Sequence, residues 1–160
     1  MSSDEAFIVE VFAALKRAKL EAVMVGASAA ILQGAPLMTR DVDLLIRDTP
    51  RNRQKLKDFC NLMAITGVVR PSETVKVLTL LGRPVGIDVI FDHISGDLRF
   101  ESLKSRAVLI KLGEQEGLVA ELRDVIKSKE AANRPKDLVH LITLRDTLRV
   151  RELMKKSEPE

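Results

Sequence analysis

The 160-residue chain contains no tryptophan and no tyrosine, and only five phenylalanines. Proteins that bind single-stranded nucleic acid stack bases on aromatic rings, so this scarcity argues against a broad stacking platform. Its one cysteine, Cys60, excludes an internal disulfide framework and a zinc site built from several thiolates. Two histidines, His93 and His140, stand 47 positions apart, which argues against a histidine metal site. No apolar run approaches the ~18–20 residues that a membrane span needs. The start, Met1-Ser2-Ser3-Asp4-Glu5, is acidic and lacks the basic opening and apolar core of a secretory signal. These absences predict a cytoplasmic protein with no membrane partner. A net charge of +3 permits an anionic partner without demanding one.

Apolar residues, 46% of the chain, are enough for a real core in a domain of this length. Residues 4–18 place Phe7, Ile8, Val11, Phe12 and Leu15 at helical spacing, with acids leading and Lys16 and Arg17 closing. The run 22–26 (AVMVG) reads as a buried strand, 27–33 as a short helix stopped by Gly34, and 35–40 as a loop. The run 41–46 (DVDLLI) reads as a second buried strand, and Pro50 opens a helix to about Thr66. Runs 75–81 and 85–91 flank Gly82-Arg83-Pro84 as a hairpin, and 106–112 reads as a further strand. Residues 118–132 and 135–154 read as two helices split at Asn133-Arg134-Pro135. The order predicts an α/β (α+β) fold: a mixed sheet of about four to five strands flanked by helices, with a helical carboxyl end. Residues 1–154 read as a single domain, with the sheet at about 20–112 and helices at about 118–154. Residues 155–160 read as a fraying polar tail.

Chemistry concentrates in residues 23–46. On a strand Asp41 and Asp43 point to the same face, roughly 6.6 Å apart along the chain. Like charges at the mouth of an apolar strand repel each other and lose solvation, a cost that a divalent cation relieves. Mg²⁺ is commonly held by one or two carboxylates together with substrate phosphates. Upstream, Val25-Gly26-Ala27-Ser28 ends a buried strand in small residues and begins a helix, whose free N–H groups favour phosphate. Gly26 and Ala27 would let a triphosphate approach the backbone, and Ser28 would cap the helix or donate its hydroxyl. Two-metal chemistry needs a further acid facing the pair. Asp88, the lone acid inside the apolar run 85–91, is the candidate.

These residues resemble the DNA-polymerase-β-type nucleotidyltransferase superfamily in its minimal form. Gly26, Asp41, Asp43 and Asp88 match its pattern in order and spacing, and Thr39-Arg40-Asp41-Val42-Asp43 is similar to its approach to the acid pair. Residues 126–138 (IKSKEAANRPKDL) resemble the helix pair of the branch that includes AbiEii-type toxins. The matches span roughly residues 22–145. The resemblance implies Mg²⁺-dependent (or Mn²⁺-dependent) transfer of a nucleoside monophosphate from an NTP to an acceptor hydroxyl, releasing pyrophosphate. It implies that Asp41 and Asp43 hold both ions and that Asp88 holds the catalytic ion and helps deprotonate the acceptor. Lys129, Arg134 or Lys136 would neutralise the triphosphate. Ala27 departs from the family's Gly or Ser at the second cradle position, which bears on activity rather than fold.

Structural readings stand beside these. Ser28 reads also as a helix N-cap and Asp137 as an N-cap or first-turn acid. Arg134, Lys136, Lys127 and Lys129 read also as solvated helix residues. Arg47, Arg51, Arg53, Lys55 and Lys57 form a basic cluster that would guide an RNA acceptor or simply face water. Arg83 belongs to a turn or reaches toward the site. The acceptor is left open among a small molecule, an RNA end and a protein side chain. Two rival functions remain: a nucleotide- or partner-binding module with weakened catalysis, and a toxin-like role restrained by a cognate protein such as an antitoxin. A homodimer suits so small a unit.

Overall fold

The computed structural model describes residues 2–74 and 76–157. Helix α1 (Ser3–Ala18) begins where the Ser2 hydroxyl accepts the Glu5 N–H and ends at Lys19, which turns the chain left-handed. Strand β1 (Val23–Val25) is wholly buried and runs straight into α2 (Gly26–Ile31). Strand β2 (Asp41–Ile46) follows, then α3 (Pro50–Leu62), which opens on a Thr49 cap with proline in its first turn. Next come β3 (Gly67–Val69), β4 (Val77–Leu81) and β5 (Gly86–Phe91). A small ribbon of β6 (His93–Ile94) and β7 (Leu98–Arg99) leads into α4 (Phe100–Arg106). The chain closes with β8 (Val108–Leu112), β9 (Gln115–Val119), α5 (Leu122–Ala132) and α6 (Pro135–Ser157).

Seven strands form one mixed sheet in the order β3-β4-β5-β2-β1-β9-β8. The expected strands are present, but the sheet is wider than four to five because β3 and β9 join it. Strand β9 corrects the expected helix from residue 118. Leu118 and Val119 pair in parallel with Val23 and Met24, and α5 starts only at Leu122. An apolar dipeptide before a helix reads equally well as its first turn, and only the pairing across the chain decides. The sheet therefore runs past 112, to Val119. Similarly, α3 stops at Leu62 rather than Thr66, because Thr66 donates its N–H to the Leu81 carbonyl beside β3. Residues 155–157 continue α6 instead of fraying. Val75, the first residue of the expected 75–81 strand, and the tail residues 158–160 lie outside the described residues.

Alternation sorts the central strands into two faces. Val42, Leu44, Ile46, Ile87, Val89 and Phe91 share one face, and Asp41, Asp43, Leu45 and Asp88 share the other. Helix α1 covers the first face. Gly117 of β9 lies so close beneath Phe12 that a Cβ there would enter the ring. Helix α2 packs on β1, β2 and α5. Gln33 ties this layer together: its amide donates to the Ala29 and Ala120 carbonyls, and its oxygen accepts the Leu122 N–H at the start of α5.

Candidate functional site

The site lies where three strands meet the first turn of a helix. In β2 and β5, which run in parallel, Asp43 stands directly opposite Asp88 and Asp41 opposite Gly86. In β1, which runs antiparallel to β2, Val25 stands opposite Asp43, so the next residue, Gly26, turns above its carboxylate. All three expected acids therefore share one face at one end of the sheet.

Glycine is required twice here. Gly26 takes φ +68°, a left-handed conformation, and a Cβ on it would meet the Asp43 carboxylate oxygen. Gly86 leaves room for the Asp41 carboxylate in the same way. Thr79, opposite Asp88 on β4, donates its hydroxyl to Asp88 Oδ1 at 2.6 Å and fixes that carboxylate.

Burial, and then the charges of Asp88 and Asp41, push the Asp43 carboxyl up to about 6, while Lys136 and Lys129 pull the other way. The row of acids is thus an electrostatic debt held partly in check by two lysines of the helical end. Among the described residues no group of three or more acidic, histidine or cysteine side chains is placed to hold a metal ion by itself. The acids form an open row, the arrangement suited to an ion that takes its remaining ligands from phosphate oxygens.

Lys129 and Lys136 act on Asp43 through their charge and differ in their surroundings. Lys129 is buried in α5, with its ammonium 3.3 Å from Asp137 Oδ1. Burial lowers its pKa, and Asp137 opposes that shift. Asp137 is fully buried in the first turn of α6 and also accepts from the Arg134 backbone N–H (3.1 Å) and guanidinium (2.7 and 3.2 Å). Burial alone would raise its carboxyl, but Arg134 and Lys129 hold it at about 2. The first-turn reading of Asp137 is right, and it has a further consequence. Asp137 is the buried anchor that places Lys129. Arg134 is spent on that anchor, while Lys136 is exposed.

Ser28 is not an N-cap. It is the third residue of α2, and its hydroxyl donates to the Val25 carbonyl at 3.1 Å. Its proton is therefore used inside the turn. Together with the buried Ala27, the turn offers backbone N–H groups and not a side-chain donor.

Two of the five residues of the basic cluster are tied into ion pairs. Arg47 pairs with Glu21 and Glu101 and lies over the Phe100 ring. Arg53 pairs with Asp48 and lies over Phe91. Arg51 and Lys57 are exposed and Lys55 is half-buried, and among the described residues none of the three has an ion pair. Arg83 donates to the Met63 carbonyl and pairs with Glu10, so it holds the hairpin to α1 and does not reach the site. A concavity of about 310 Å³ lined by Phe12, Leu15, Met24 and Leu44 lies on the opposite sheet face, away from the acids.

Sequence reading missed Thr79 and Gly86. A threonine inside the apolar run 77–81 is a visible signal, but its target appears only once the strand register is known.

No family model matches the chain, and no curated protein matches it in sequence. Solved structures do match. A candidate nucleotidyltransferase from Thermotoga maritima superposes with a TM-score of 0.59 at 17% identity, covering 93% of this chain and 96% of its own. The crystal structure of ANT(2″)-Ia with adenylyl-2″-tobramycin superposes with a TM-score of 0.67 at 11% identity, covering 96% and 94%. The solution structure of the same antibiotic-resistance factor gives 0.61 at 12% identity, covering 96% and 95%. The fold is that of the nucleotidyltransferases. The nucleotidyltransferase fold accounts for the helical end as well as the sheet, since both chains are covered almost throughout. Among the described residues no helix is long and apolar enough to cross a membrane.

Proposed function

We propose that the chain is a nucleotidyltransferase that moves a nucleoside monophosphate from an NTP to a hydroxyl acceptor and releases pyrophosphate. The observation that carries the reading is the register of Asp43 against Asp88, with Asp41 on the same face and the Gly26 turn above them. The acids fit a divalent cation, Mg²⁺ or Mn²⁺, because burial and then their mutual repulsion push Asp43 upward, and positive charge relieves both. Asp41, Asp43 and Asp88 would hold it only together with substrate phosphate oxygens, and when bound it would supply charge neutralisation and Lewis acidity at the phosphates.

The chain's own residues divide the remaining work. Backbone N–H groups at Gly26, Ala27 and Ser28 orient the triphosphate. Lys129 and Lys136 offset its negative charge as it builds on the departing pyrophosphate. The acceptor oxygen forms a bond to the α-phosphorus, the bond from that phosphorus to the bridging oxygen breaks, and the acceptor proton passes to Asp88. Thr79 holds Asp88 in place for that transfer. For the acceptor we favour a small hydroxylated molecule. The support is the likeness to ANT(2″)-Ia, whose crystal structure holds adenylyl-2″-tobramycin and which this chain matches over 94% of its length.

A second reading has one observation in its favour. With Ala27 in the cradle and the Ser28 proton spent on Val25, the phosphate grip is weaker, which suits a nucleotide- or partner-binding module. The toxin-like role rests on resemblance in residues 126–138 alone. Growth inhibition on expression that disappears in Asp43→Ala supports it, and harmless expression refutes it.

Thermal unfolding with and without Mg²⁺ and NTP tests the site. Wild type should gain stability from the pair of ligands, and Asp41→Ala and Asp43→Ala should not. Equal stabilisation of all three proteins refutes the assignment.

A further inference from the structure

Among the described residues, helix α6 carries an apolar stripe that no other element covers. Leu141, Leu144 and Leu148 face inward, where α6 packs along α5. On the opposite side Leu138, Val139, Ile142, Val150, Leu153 and Met154 are 52–67% exposed. At 1.5 Å per residue the stripe runs ~24 Å along the helix. Apolar residues scattered singly on a surface need no explanation, but a row along one helix face does.

The spacing of the stripe indicates what covers it. Leu138 and Met154 lie eight residues on either side of Asp146, Val139 and Leu153 seven, and Ile142 and Val150 four. The row is a palindrome centred on Asp146. When two copies of one helix pair antiparallel about a two-fold axis, residues equally far from the axis face each other. Val139 would then meet Leu153, and Ile142 would meet Val150, twice each. The steps 139–142–146–150–153 also follow the three-and-four spacing that keeps a seam facing a partner helix. A different protein would impose no such symmetry on the row.

The centre is charged and complementary to itself. Asp146 pairs with Arg149 within the helix, both side chains being well exposed. About the axis, Asp146 of each copy comes within reach of Arg149 of the other. Two carboxylates and two guanidiniums then close one neutral network, which offsets the repulsion of the carboxylates at the axis. We infer that α6 is the interface of a homodimer, packed antiparallel against α6 of a second copy with the two-fold axis at Asp146. This inference does not depend on the transferase reading.

Sedimentation analysis of the full chain at micromolar concentration tests the partner, and cysteine cross-linking tests the register. Wild type should sediment at twice the monomer mass. Ile142→Glu with Val150→Glu brings four carboxylates into the seam and should weaken association by on the order of 100-fold, with an unchanged circular dichroism spectrum. In a Cys60→Ser background, Asp146→Cys should cross-link to itself under mild oxidation. Ile142→Cys should not, because two copies of position 142 lie ~12 Å apart along the seam, beyond the ~7 Å reach of a disulfide. A monomeric wild type, a dimer that survives the double glutamate substitution, or equal cross-linking at both positions would overturn the inference. Capture of the stripe by a different protein while the chain stays monomeric would overturn it as well.

Discussion

Asp43 and Asp88 face each other across the parallel strands β2 and β5, and burial, with the repulsion between them added, pushes the Asp43 carboxyl up to about 6. A fold that only needed stability would not keep this pair.

That cost has a pH dependence. The Asp43 carboxyl is raised from 3.8 to about 6, so the folded chain holds a proton that the unfolded chain has already released. Stability from this group is complete below pH 3.8 and is lost as pH rises through 6. Asp43→Asn should therefore stabilise the metal-free protein at pH 8 by ~1–3 kcal/mol and change little at pH 4. Urea unfolding at both values checks this, and an equal effect at the two contradicts it. The same variant should gain nothing from Mg²⁺.

Gly26 is demanded by conformation and by space together. Gly26→Ala should cost ~1–2 kcal/mol for the left-handed backbone and displace the Asp43 carboxylate as well. Transferase activity should fall at least ~10-fold, the loss expected when a reacting geometry shifts. Gly34→Ala is the control. It shares a positive φ but has open space around it, so it should lose stability and keep activity.

The Asp137 anchor should prove structural in its own right and functional through Lys129. Asp137→Ala leaves the Lys129 ammonium buried without its carboxylate and should cost ~3–5 kcal/mol. Lys129→Met in the same chain should recover much of that stability but not activity. Asp137 is held at about 2, so its contribution is present above pH 3.8 and lost as pH falls through 2. Denaturation curves of the single and double variants measure the coupling.

Thr79→Val removes the hydroxyl that fixes Asp88. Steady-state kinetics should show kcat reduced by about tenfold with KM for NTP little changed, because Thr79 orients Asp88 and touches no phosphate. A change confined to KM contradicts that role.

Much of this site was legible in the sequence because its signals are local. Asp41 and Asp43 share a face through the two-residue period of a strand, and Val25-Gly26 marks a strand-to-helix turn. Asp88 stood out as an acid inside an apolar run. Long-range pairing was invisible. Leu118 and Val119 look like the start of a helix until β1 claims them, and Thr79 looks ordinary until β4 pairs with β5. Ser28 looked like a cap because serine before a helix often is one, whereas the helix starts two residues earlier and uses its hydroxyl internally. The basic run after β2 looked like a free surface, yet the acids that neutralise Arg47, Glu21 and Glu101, lie far from it in the chain.

The most direct test of the account follows the label. Each α-labelled NTP is incubated with Mg²⁺ and host-cell extract, using wild type and the Asp41→Ala/Asp43→Ala double variant, and small-molecule, RNA and protein fractions are separated. The account predicts label in the small-molecule fraction with wild type alone, for at least one base. Label in no fraction, while Mg²⁺ and NTP still bind, would contradict transfer and leave a binding module.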